Sequence, residues 1–232
     1  MVAADGQRMV EIKCKIRFIR CQRWNEMKET VEYHAKNAAQ FEAPTIFRLL
    51  NDPGGSVGPQ EFHVARRNIT RLEIPEDLQI ALTPIDAVEP AGCTPLSEHL
   101  EECRTVVQQM KNDLVQKGQK AVVVIATDGL PSDKCGTSGP SELEFFKDTF
   151  RSLGGLPIWV VIRLCTDNQQ VVQFYNELDS ELEYSLEVLN DFKGEAKEVF
   201  DYNPWLNNAL PLHCIREMGF SHKLFYVLDE RQ

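Results

Sequence analysis

Lys120 to Asp133 reads Lys-Ala-Val-Val-Val-Ile-Ala-Thr-Asp-Gly-Leu-Pro-Ser-Asp. Thr127, Asp128 and Gly129 set a hydroxyl, a carboxylate and a flexible turn directly after the apolar run Val122–Ile125. Open α/β sheets bind their ligands in the crevice beyond the carboxyl ends of the strands, and that is where Asp128 is expected. The plainer alternative is that Asp128 only caps the next turn. A second segment, Pro90-Ala91-Gly92-Cys93-Thr94-Pro95-Leu96, delivers a threonine hydroxyl to a helix start. Asp133 reads either as a turn residue or as a second acid supporting Asp128.

Other chemistries find less support. The strand-Thr-Asp-Gly end is superficially like the Asp-x-Asp-Gly of phosphotransfer enzymes, but the nucleophile's position holds Ala126, which has no nucleophilic atom. His34, His63, His99, His213 and His222 show no shared metal spacing. His213 and Cys214 are neighbours in sequence, so on a helix they point apart. Ser97, in a Thr-x-x-Ser-Glu setting, reads as capping support. No glycine loop of phosphate-cradling pattern occurs.

The elements that must position these residues follow from hydrophobic period. Val122–Ile125 is an unbroken apolar run, as expected of a parallel strand covered on both faces. Pro157–Leu164 reads as a second such strand. Pro95–Lys117 is an amphipathic helix with Leu96, Leu100, Cys103, Val107, Met110 and Leu114 on one face. Thr94 is expected to cap it, Pro95 to occupy its first turn, and Gly118 to stop it. Residues 22–40, 76–88, 141–153 and a segment around 171–178 also read as helices, with Pro84 bending or ending the second. Strands are expected at 44–50, around 62–64, and at 182–188, the last more exposed. Val10, Ile12, Cys14, Ile16 and Phe18 alternate with charged residues, which predicts one strand buried on a single face. From Gly194 onward the pattern is helical, broken by Pro204, Pro211 and Gly219; Trp159 and Trp205 are expected in the core, Trp205 pinning the tail. Strands separated by helices imply an α/β fold with a mostly parallel central sheet and helices on both faces.

The apolar share of 43% in 232 residues is enough for a sizeable core. Net charge is −10, which argues against nucleic acid and anionic membrane surfaces as partners. Residues 1–30 carry seven Lys and Arg against four Asp and Glu, whereas residues 167–202 carry ten acids against two lysines. The acidic stretch reads as a solvated helix face, or less readily as a partner surface. Seven scattered cysteines, an odd number without close pairs, predict free thiols in a reducing compartment. With no apolar run near 18 residues and no apolar leader core, a cytoplasmic location is expected. Asn68-Ile69-Thr70 then matches a glycosylation acceptor only by accident.

The order Pro-x-Gly-x-Thr-Pro-Leu, long helix, apolar strand, Thr-Asp-Gly resembles a von Willebrand factor A (vWA) domain. Arg23-Trp24-Asn25-Glu26-Met27-Lys28 and the strand ending Leu49-Leu50-Asn51 are similar to that family as well. The likeness spans about residues 22–190, with residues 1–21 an atypical strand segment. Residues 191–232 are a helical C-terminal extension, similar to one in some intracellular members. The resemblance implies a vWA or Rossmann-like sheet and a metal-ion-dependent adhesion site, in which Thr94 matches the loop threonine and Asp128 the later aspartate. Mg²⁺ or another divalent cation is the implied ion.

The family's Asp-x-Ser-x-Ser has no counterpart here. Ile16–Gln22 contains neither serine nor acid, and Arg17, Arg20 and Arg23 bring positive charge. The expectation is therefore an incomplete site that binds a cation weakly. The charged alternation of the first strand also does not suit a central strand. Either that strand lies at a margin of a rearranged sheet, or residues 1–20 stand where the central strand is lost. The reading that follows is a non-enzymatic protein-binding or scaffold module, engaging a protein partner around Thr94, Asp128, Leu130 and Asp133. A metal-assisted hydrolase using Asp128 and Asp133, or a non-functional remnant of the domain, are the alternatives.

Overall fold

The computed structural model describes residues 6–12, 15–67, 69–182, 186–206 and 210–219, with side chains from Gln22 onward apart from those of residues 193, 210 and 211. Cys14, Asn68 of the glycosylation match, Tyr184 and the tail beyond Gly219 lie outside the described residues. The chain is mixed α/β and divides into two compact units, Met1–Thr94 and Pro95–Gln232. The division falls inside the span 22–190 expected to be a single domain.

The first unit opens with β1 (Gly6–Ile12) and β2 (Lys15–Cys21). These pair antiparallel with each other, Val10 opposite Arg17 and Ile12 opposite Lys15. The expected single strand over 10–18 is thus a hairpin. Period-two alternation continues unchanged from one strand into the next, so the pattern could not reveal the reversal. Helix α1 (Arg23–Gln40) follows, then the antiparallel pair β3 (Thr45–Arg48) and β4 (Glu61–Val64), then α2 (Ile74–Ala87). Ala35 and Ala38 of α1, Phe62 and Val64 of β4, and Ile74, Ala81 and Ile85 of α2 form the unit's core. Phe47 stacks on Phe62 at 5.5 Å between ring centres. The small side chains let α1 approach the hairpin closely, and Pro84 is accommodated inside α2 rather than ending it.

The second unit runs α3 (Leu96–Gln116), β5 (Ala121–Thr127), α4 (Pro140–Arg151), β6 (Ile158–Leu164), α5 (Gln169–Glu181), β7 (Leu186–Leu189), α6 (Phe192–Tyr202) and α7 (Leu210–Glu217). Its sheet is parallel in the order β5-β6-β7, Val123 beside Val160 and Ile162 beside Val188. The expected parallel sheet is present as these three strands. Every residue of β6 is buried, as its composition requires.

β5 differs from expectation. Among the described residues it pairs with β6 alone and so stands at the sheet's edge. Val122 is 44% exposed and Val124 38%, although the run was expected to be covered on both faces. The composition of a central strand is present without a second neighbour among the described residues. Two further expectations fail. Pro95, not Thr94, is the N-cap of α3, and no side chain caps it. Trp205 is 80% exposed rather than in the core, while Trp159 is buried as expected. Pro211 lies in the first turn of α7, where proline is tolerated, rather than breaking a helix.

Candidate functional site

Thr94 closes the first unit, whereas Asp128, Leu130 and Asp133 all belong to the second. The segment before Thr94 is anchored to the end of the β3 strand region. The Asn51 side-chain amide donates to the Cys93 carbonyl at 2.8 Å, and its oxygen accepts from the Cys93 N–H at 3.3 Å. Gly92 makes this clamp possible. Its φ is +92°, and a β-carbon there would lie 2.5 Å from the Asn51 side chain. Only glycine fits so close an approach in that conformation. Trp24 Nε1 donates to the Val88 carbonyl at 3.0 Å, holding the start of the same segment to α1.

In the second unit, the loop beyond β5 is organised by its own polar groups. The buried Thr127 hydroxyl bonds both the N–H and the carbonyl of Gly129, each at 3.2 Å. Tyr175, from α5, donates its hydroxyl to the same carbonyl at 3.1 Å. Burial pushes the Tyr175 phenol far above its ordinary range, with a hydrogen bond to Thr127 opposing the shift. Asp128 and Leu130 are half-buried beside this turn.

Asp133 builds the outer half of the loop. Its Oδ1 accepts from the N–H groups of Cys135 and Thr137, both at 2.8 Å, and its own N–H donates to the Thr137 carbonyl at 3.0 Å. Gly136, at φ +81°, closes the turn. This is the side-chain mimicry of a backbone turn for which aspartate is suited. Lys134 Nζ meets Glu98 Oε2 of α3 at 3.0 Å, and Pro131 and Ser132 are buried beneath an exposed tip from Lys134 to Ser138. Ser97 does not act as a cap. Its hydroxyl donates to Glu142 Oε1 at 2.7 Å and ties α3 to α4.

Among the described residues no group of three or more His, Cys, Asp and Glu is placed to hold a metal.

Sequence reasoning missed a buried charge cluster where the last two helices meet the sheet. Arg163 of β6 is 3% exposed, and its Nε lies 2.6 Å from Glu217 Oε1 of α7. Arg163 Nη1 also donates to the Leu164 carbonyl and lies 3.8 Å from Cys165 Sγ. Arg216 Nε bonds Glu187 Oε1 of β7 at 2.7 Å, and its Nη1 bonds Glu195 of α6. His213 Nε2 sits 3.3 Å from Glu217 Oε1, and its ring meets Phe192 edge-on. Two acids of the stretch expected to be a solvated face, Glu187 and Glu195, therefore point inward.

Cys93, Cys103, Cys135, Cys165 and Cys214 are free thiols. Among the described residues no helix is long and apolar enough to cross a membrane. Comparison with known protein families and with curated proteins finds no match to this chain.

Proposed function

We propose that the chain is a non-enzymatic protein-binding or scaffold module of vWA type with an incomplete metal site, contacting its protein partner through the loop from Asp128 to Gly139. The observation that carries this reading is the prebuilt loop beyond the carboxyl end of β5. Its carboxylate Asp133 is spent on backbone N–H groups, and its tip is exposed. A loop ordered in advance loses little conformational freedom on binding, which favours recognition. The β5-α4-β6-α5-β7 order with Asp128 at a strand end supports the vWA-like arrangement. Asp133 Oδ1 holding the turn favours a binding loop over a hydrolase that would use Asp128 and Asp133.

The test places a photo-crosslinking residue at exposed Thr137 and, as control, at exposed Val115 on α3. A defined adduct at Thr137 that disappears in Asp133→Ala is expected. Equal adducts at both positions would defeat the proposal. Calorimetric titration with Mg²⁺, Mn²⁺ and Ca²⁺ addresses the metal. Sub-micromolar binding that is lost in Asp128→Ala would show the site to be complete. A phosphatase and esterase panel with added metal covers catalysis, where activity lost in Asp128→Asn would favour the hydrolase.

A further inference from the structure

The two halves of the loop beyond β5 are held by bonds of different origin. The outer half is shaped from within: Asp133 Oδ1 takes the N–H groups of Cys135 and Thr137, residues of the same loop. The inner half is held from another element. Tyr175 of α5 donates its hydroxyl to the Gly129 carbonyl at 3.1 Å, across 46 residues of chain. The Thr127 hydroxyl bonds the N–H and the carbonyl of that same glycine.

The Tyr175 ring is fixed independently of its hydroxyl. It is fully buried and meets Phe146 of α4 edge-on, at 6.2 Å between ring centres, and Phe174 at 5.0 Å. Helix α5 is anchored in turn at its start, where the Asn168 side chain accepts from the N–H groups of Gln170 and Val171. The loop runs from β5 to α4. One side chain thus reaches the beginning of the loop through its hydroxyl and the helix that follows the loop through its ring.

We propose that Tyr175 is the positioning residue of the Asp128–Gly139 loop: its hydroxyl lets α5 set the course of the chain out of β5, while Asp133 shapes the tip separately. The consequence, control of partner contact by α5, rests on the protein-binding reading of this loop; the latch itself is a property of the free chain. Losing one such hydrogen bond shifts a local opening equilibrium about three- to tenfold.

Hydrogen exchange of the free chain, resolved to single amides by NMR, is the experiment. In Tyr175→Phe the Gly129 amide should exchange about three- to tenfold faster than in wild type, with Cys135, Thr137 and the amides of β6 unchanged. Asp133→Ala should do the reverse, speeding Cys135 and Thr137 and sparing Gly129. Should the tyrosine variant fail to fold, the wild type decides, because its Tyr175 hydroxyl proton should be seen in slow exchange with water; fast exchange there overturns the proposal. Unchanged Gly129 exchange in Tyr175→Phe overturns it as well, as does acceleration spread across β6 and α5. The Thr137 crosslink should fall at least about threefold in Tyr175→Phe. Faster exchange with an undiminished adduct overturns control by α5. A wild type that gives no adduct defeats the protein-binding reading, and the exchange rates then judge the latch by themselves.

Discussion

Two residues show how local chemistry fixes the candidate segments. Gly92 holds a left-handed φ against Asn51, so Gly92→Ala should cost about 1–3 kcal/mol in urea unfolding, and Asn51→Ala should relieve only the close contact and leave the backbone strain in place. An alanine as harmless as glycine would mean that the clamp yields. Tyr175 makes a pH prediction with a definite sign. Its folded value is raised by burial, so its contribution is complete below about pH 10, the ordinary tyrosine value. Above that pH the unfolded chain ionises first and stability falls. Tyr175→Phe should flatten the decline above pH 10 and leave the neutral range little changed. Asp128 and Asp133 were both legible in sequence as acids near a strand end. Which of them would be consumed by turn-making was not, because that depends on where the N–H groups of Cys135 and Thr137 finish.

At the scale of elements, the strand-helix alternation from β5 to β7 was readable because period and punctuation agree locally. What escaped was pairing. Hydrophobic pattern places β5 inside a sheet, yet the number of neighbours a strand has is a tertiary fact. The same holds for the acidic stretch, where composition alone puts Glu187 and Glu195 in water. The available warning was Arg163, a cation inside Ile-Trp-Val-Val-Ile-Arg-Leu, which calls for a buried anion. Its partner Glu217 is 54 residues away and could not be named from spacing. Because the cluster is buried, Arg216→Ala should destabilise by about 3–5 kcal/mol, removing the guanidinium that Glu187 and Glu195 share. Replacing all three with apolar residues of similar volume should recover most of that loss. Guanidinium melts of the single and triple variants distinguish a latch from a bystander.

For the whole molecule, the question left by the atypical first strand is whether a folded module or a remnant is present. β1 and β2 pair with each other, and among the described residues the β3-β4 and β5-β6-β7 sheets are separate. The buried core of the second unit nevertheless predicts cooperative unfolding. With Trp24→Phe and Trp205→Phe, the fluorescence of buried Trp159 should report a single sigmoidal transition coincident with far-ultraviolet ellipticity. A broad, non-coincident decay would identify a remnant. The charge cluster has a further consequence in time rather than space. A ribosome delivers Arg163 well before Glu217, and Val122 long before Gly219, whose backbone packs so tightly on Val122 and Trp159 that a β-carbon there would lie 2.4 Å from the valine. Throughout that interval the nascent sheet carries Arg163 without Glu217 and Val122 without Gly219, so the second unit completes folding only after residue 219 has emerged, and translation arrested earlier yields a chain bound for chaperones or degradation.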